Sequence, residues 1–261
     1  MTADMASEGK PTLVSSEWLQ NQLKSKEGVS RRLRILDTTF DRYRQIDTYK
    51  DCYLKEHVPT ALFFDLHKCV QSTSEIPRNL PEANSFTEYV RSLGVWPDTH
   101  VIVYDRDDLV PAFRTWWLFR RSNFSINMNK TLLHSYEDMF DNVAKSKNRQ
   151  IVDSRMRDDP KMIDLAMDGG IIPNSKIVSY TDLFNEDQTM KSPPMLKALF
   201  DVAGVDTCSP MVVTCNTGMT ACCVAAAMHI LGQDIPVYYG SWTEWRHRAP
   251  EELKQRVKAD D

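Results

Sequence analysis

The sequence predicts an α/β protein of two tandem domains, each a mostly parallel sheet flanked by helices, the first lacking its closing strand and helix. Three observations carry that reading. Val- and Ile-rich runs of strand length alternate with helical patterns that carry Gly near their C-termini (Gly94, Gly204), the mark of βα units around a parallel sheet. The chain also echoes itself: Asp37 and Asp153 stand 116 residues apart, Pro59 and Pro173 stand 114 apart, and the pairs Gly94/Gly204 and Asp105/Cys215 both stand 110 apart. Finally, the second half continues into IPVYYGSWTEWRHR, a strand and a Trp-rich helix, whereas the first half passes from Arg121 to Lys130 with only SNFSINMN between.

In chain order, the first domain (12–121) reads as strand LRILDT (33–38), EHVPTALFFDL, helix SFTEYVRSLGV (85–95), strand HVIVYD (100–105) and helix AFRTWWLFRR (112–121). The aromatic and basic residues of that last helix fall at helical spacing, which favours a core face with flanking charges over a nucleic-acid patch. Residues 122–130 form the linker. The second domain (131–261) opens with TLLHSYEDMFDNVAKSK (131–147), read as a helix. Strand QIVDSR (150–155), GGIIPNSKIVSY, helix PPMLKALFDVAGV (193–205), strand PMVVTC (210–215), helix GMTACCVAAAMHILG (218–232) and the closing pair follow. An edge left uncovered in the first domain is expected to open first, with limited proteolysis cutting near 122–130.

Composition narrows the partners. Of 261 residues, 42% are hydrophobic and 26% charged, enough for a sizeable core and too apolar for disorder. A net charge of -4 leaves no surplus to attract nucleic acid or anionic lipid. The longest nearly apolar stretch, Ala221 to Leu231, is far short of the roughly 20 residues that span a bilayer. MTADMASEGK carries Asp4 and Glu8 with no Arg and no apolar core, which argues against a signal or transit peptide and for a cytoplasmic protein, a mitochondrial location being the alternative. The six cysteines form no C-x-x-C pair, so no metal site is expected, and His134 and His229 read as packed or solvated single histidines.

Cys215 is the candidate nucleophile. It ends MVVT and begins C-N-T-G-M-T, so its thiol falls in a short loop before a helix N-terminus, where unpaired N–H groups and the helix dipole favour thiolate over thiol. Gly218 lets the loop curl its amides towards the sulfur. The position six after Cys215 is Ala221, so the C-x5-R pattern of cysteine phosphatases is absent.

With LVSSEWL, EHVPTALFFDL, FRTWWLFR, SYEDMF, QIVDSR, CNTGMTAC and YGSWTEW followed by RAP in this order, the chain resembles the tandem-domain rhodanese-like sulfurtransferases of the 3-mercaptopyruvate and thiosulfate sulfurtransferase type. The resemblance implies two sheet-sandwich domains, a non-catalytic first one with Asp105 in place of the cysteine, and a Cys215 persulfide that carries sulfur from a small-molecule donor to a thiol acceptor such as thioredoxin, or to cyanide, with no cofactor. It also implies Thr217 and His57 as proton relays, with Asp47 or Asp51 partnering His57. Arg155 of VDSR would hold the substrate carboxylate, Arg157 would be a second substrate arginine, and Asn216, Gly218, Met219 and Thr220 would line the donor site. Thiosulfate enzymes resemble C-R-K-G-V-T, whose cations suit a dianion, while mercaptopyruvate enzymes resemble the uncharged C-G-[ST]-G-V-T. C-N-T-G-M-T therefore points to 3-mercaptopyruvate, with thiosulfate transfer or a weakly active binding or redox-sensing role as alternatives. The chain departs from the family pattern at RMRDDPKMIDLAMDGG, which lacks G-R-F-x-G, and at GGIIPNS, which lacks the histidine of G-H-I-P-G.

Overall fold

The computed structural model describes residues 11–24, 33–41, 45–106, 109–122, 129–157 and 169–255. Most of the predicted linker and part of the segment after VDSR lie outside these. The strands are β1 (Leu33–Asp37), β2 (Leu62–Phe63), β3 (His100–Tyr104), β4 (Leu133–His134), β5 (Gln150–Asp153), β6 (Ser175–Ile177), β7 (Met211–Thr214) and β8 (Val237–Tyr238). The α-helices are α1 (Ser16–Lys24), α2 (Ala83–Ser92), α3 (Val110–Ser122), α4 (Tyr136–Asp141), α5 (Pro193–Val202), α6 (Ala221–Ile230) and α7 (Ser241–Arg248).

Among the described residues the named strands all pair in parallel, in two sheets ordered β2-β1-β3 and β4-β8-β7-β5-β6. Parallel strands need crossovers, and the helices between them supply these. α2 and α5 each end where Gly94 and Gly204 adopt φ of 71° and 70°, left-handed conformations that release the chain into the next strand. Two prolines at the start of α5 fall where helix amides have no partner, so the missing N–H costs nothing.

Laid side by side, β2, β1 and β3 stand where β6, β5 and β7 stand, and among the described residues nothing in the first sheet stands where β8 and β4 do. The consequence shows in burial. All four residues of β7 are buried, whereas of β3 only Ile102 is. Leu13 and Val14 precede a Ser15 cap of α1 just as Leu133 and His134 precede the Ser135 cap of α4, but among the described residues they pair with no strand.

The segment 131–147, expected as one helix, is a strand followed by a helix. Leu133 and His134 pair with Val237 and Tyr238, and Ser135 then starts α4 through a reciprocal cap with Asp138. The helix expected from Gly218 starts later, at Ala221, leaving 215–220 as a loop. One apolar cluster joins the two halves: Phe64, Phe86, Trp117 and Leu118 from the first pack in the same core as Leu196, Phe200, Val213 and α6 from the second. The run Ala221-Cys222-Cys223 and Ala225-Ala226-Ala227 keeps α6 slim, which lets α3 approach it closely.

Candidate functional site

The site sits at the C-terminal ends of β5 and β7, where a parallel sheet presents loops to solvent. Asp153 and Thr214 are register partners at those ends, and the chain continues from them into Ser154–Arg157 and the loop 215–220. Ser154 Oγ and Thr220 Oγ1 lie 2.8 Å apart and tie the two loops together.

Cys215 is 1% exposed, and its Sγ accepts the Gly218 N–H at 3.0 Å. An amide aimed at sulfur stabilises negative charge there. Gly218 is held in this pose at φ 77°, and a Cβ at this position would meet the Tyr239 carbonyl oxygen at 2.6 Å, so only glycine fits. From the other side Ser241, itself fully buried at φ 54°, accepts the Cys215 N–H at 3.2 Å and sets its Oγ 3.9 Å from the sulfur. The carbonyls of Cys215 and Asn216 accept from the backbone of Trp242 and Thr243 at 3.0 Å each, so the start of α7 fixes the base of the loop. Ser241 was not singled out in the sequence; G-S-W directly after a predicted strand was the available signal.

The remaining loop residues fall into place unevenly. Asn216, Thr217 and Thr220 are half-buried, Met219 is in the core, and none of the six carries a cationic side chain. Arg114 of α3 reaches across from the first half and donates to the Gly218 carbonyl at 3.0 Å. In the first half, Asp105 occupies the position of the cysteine, and its carboxylate accepts the amides of Leu109 and Ala112 at 2.8 Å each. That strand-to-helix loop therefore holds an anion of its own.

Other expected site residues are engaged elsewhere. The Arg155 guanidinium is buried and bonded to the buried Asp153 carboxylate at 2.6 to 3.1 Å, with a further bond to the Gly170 carbonyl at 2.8 Å. Arg157 is exposed. His57 is exposed, stacks on Tyr53 with ring centroids 4.2 Å apart, and its Nδ1 meets the Tyr53 carbonyl at 2.8 Å. Asp47 pairs with Lys50 at 3.0 Å, and Asp51 lies 3.7 Å from Lys55, so neither carboxylate partners His57. Burial pushes the Cys69 and Cys222 thiols up to about 12, against the pull of Arg114, which keeps both protonated at neutral pH. Among the described residues no cluster of His, Cys, Asp and Glu is arranged to hold a metal, and no helix is long and apolar enough to cross a membrane.

Parallel α/β architecture with a buried thiol cradled between a strand end and a helix start defines a protein equipped for covalent group transfer through cysteine. Residues 132–248 match the family model of the rhodanese-like domain. The chain is 34% identical to thiosulfate sulfurtransferase of Bos taurus, over 92% of this chain and 93% of that one. It is 32% identical to 3-mercaptopyruvate sulfurtransferase of Homo sapiens, over 92% and 94%. The solved structure of SseA from Escherichia coli, described as having the rhodanese fold of 3-mercaptopyruvate sulfotransferases, superimposes with a TM-score of 0.72 at 26% identity, covering 87% of this chain and 97% of that one. The chain belongs to the rhodanese-like sulfurtransferase family. The bovine alignment runs over 280 positions while 92% of this chain is about 240 residues, so about 40 positions lack a counterpart here. That is room enough for a strand and helix of the kind that the first sheet does not show among the described residues.

Proposed function

We propose that the protein transfers sulfur from 3-mercaptopyruvate to a thiol acceptor through a persulfide on Cys215. The observation that carries the reading is the loop 215–220: a buried thiol receiving an amide N–H, in a loop with no cationic side chain. Relatives of both names align at similar identity, so overall similarity does not separate the donors, and the uncharged loop is what supports the choice of mercaptopyruvate.

In the proposed step Cys215 thiolate attacks the substrate sulfur. An S–S bond forms, the C–S bond breaks with its electron pair going to carbon, and pyruvate leaves as its enolate to be protonated from water. The Gly218 N–H holds the charge on sulfur, and Ser241 Oγ stands beside it. An acceptor thiolate, such as that of thioredoxin, then takes the outer sulfur and returns Cys215 to thiolate. With Arg155 committed to Asp153, the exposed Arg157 beyond the same strand end is the residue assigned to the substrate carboxylate. Thr217, half-buried in the loop after Cys215, is assigned to the donor site. His57 meets the Tyr53 carbonyl and Asp47 pairs with Lys50, and this step assigns neither of them a role.

Thiosulfate, a dianion, gains from cations beside the nucleophile. Each missing charge-assisted contact costs roughly 1.5–3 kcal/mol, or about one to two orders of magnitude in specificity. The test is the ratio of kcat/KM for the two donors in the wild type and in the pair Asn216→Arg with Thr217→Lys. A preference for mercaptopyruvate that the double substitution moves towards thiosulfate is expected; a wild type already faster with thiosulfate, or an unmoved ratio, overturns the assignment of donor.

A further inference from the structure

The two buried arginines beside the loop are treated differently by the fold. Arg155, 3% exposed, is neutralised by the Asp153 carboxylate. Arg114, 1% exposed, has no carboxylate partner among the described residues. Its Nη1 donates to the Gly218 carbonyl at 3.0 Å and lies 4.0 Å from Cys222 Sγ, its Nη2 donates to the Arg78 carbonyl at 3.2 Å, and its guanidinium lies 5.0 Å from the centre of the Trp117 ring. All four partners are neutral.

A guanidinium kept from water without a counter-charge is unfavourable, and an apolar side chain of similar volume fills such a place at lower cost. The arrangement makes sense if an anion forms beside it. Gly218 is the link: its N–H points at Cys215 Sγ, and its C=O is gripped by Arg114. One residue is thus clamped between the sulfur, which becomes anionic, and the cation.

We infer that Arg114, contributed by the first half, is a positioning residue for the nucleophile of the second: it holds Gly218 so that the amide stays on Cys215 Sγ, and it supplies the positive charge that the loop itself lacks. The inference rests on Cys215 as sulfur carrier. It also gives the first half a part in the reaction, although Asp105 replaces the cysteine there. The titratable groups around Arg114 are Cys222 from α6, Cys69 from the turn 66–69 and Arg121 from its own helix, with Asp65 and Lys68 acting in turn on Cys69. The two thiols remain neutral through the range of the test.

The experiment compares wild type, Arg114→Met and Arg114→Lys. Peptide-resolved iodoacetamide labelling of Cys215 against pH is combined with steady-state kinetics on mercaptopyruvate and a thermal melt. For the methionine variant the labelling profile is expected to move up by about one pH unit and kcat to fall roughly tenfold or more, with KM within about twofold. The lysine variant, which keeps the charge but not the two-carbonyl fork, should retain the wild-type labelling profile with a several-fold lower kcat. A methionine variant that melts lower yet keeps the wild-type profile and kcat reduces Arg114 to a structural residue and overturns the inference. If the methionine variant does not fold, a lysine variant with unchanged kcat does the same. Wild-type protein that forms no Cys215 persulfide overturns the functional reading instead.

Discussion

Replacing Gly218 by alanine tests whether the amide on the sulfur matters. At φ 77° an L-residue is strained by roughly 1–2 kcal/mol, and the new methyl would sit 2.6 Å from a backbone oxygen that cannot swing away, an overlap worth roughly 1–3 kcal/mol more. The loop can relieve both only by turning Gly218, which draws its N–H off Cys215 Sγ. A hydrogen bond to a charged group contributes about 1.5–3 kcal/mol, so persulfide formation should slow about ten- to a hundredfold. Gly204 provides the control. Its φ is 70°, but nothing lies within 4 Å of an added Cβ, so Gly204→Ala carries the backbone strain alone. Thermal melts and rapid-mixing single turnovers with mercaptopyruvate read the two effects. Both variants should melt lower, by about 2–4 °C per kcal/mol for a chain of this size, and only the loop variant should be slow. A Gly218→Ala protein with the wild-type single-turnover rate would refute the role given to that amide.

Two further outcomes are expected. Amides of β3 should exchange with deuterium orders of magnitude faster than those of β7, because among the described residues β3 pairs on one side only while β7 lies between β5 and β8; equal protection of the two strands would show that something covers the β3 edge. His134 is buried with Nε2 unpartnered, and burial lowers its pKa below the ordinary 6.5 of the unfolded chain. Unfolded protein therefore binds a proton that native protein refuses, and stability is full above about pH 6.5 and falls as the pH drops below it. The melting temperature should decline from pH 7.5 to 5.5 and flatten in His134→Gln. Glu137 and Asp138, whose pKa values are lowered by Arg248 and the Ser135 amide respectively, lose their contributions only at lower pH, and an unchanged slope in the variant would exclude His134 as the source.

Much of the fold was legible because parallel βα units announce themselves locally: Val- and Ile-rich strands, amphipathic helices and glycines past helix ends recur in both halves. Where the reading erred, the deciding contact was distant in sequence. Leu133 and His134 look helical beside SYEDMF and become a strand only because β8, over a hundred residues later, pairs with them. The Cys215 loop was readable from strand, glycine and helix in succession, and its supporting shell was not. Ser241 approaches the sulfur from a later turn, and Arg114 reaches the Gly218 carbonyl behind it from the other half of the chain. Arg155 shows the opposite difficulty. Its partner, Asp153, lies two residues away, but that both side chains are buried, leaving the guanidinium committed, emerges only from the packing of β5 under Trp242.

Intact-mass spectrometry after brief exposure to mercaptopyruvate shows whether Cys215 carries sulfur. Wild-type protein is expected to gain about 32 Da, one sulfur atom, and to lose it on addition of a thiol acceptor, while Cys215→Ser gains nothing. A wild type that stays unmodified, or a Cys215→Ser variant that still takes up the sulfur, would contradict Cys215 as the carrier.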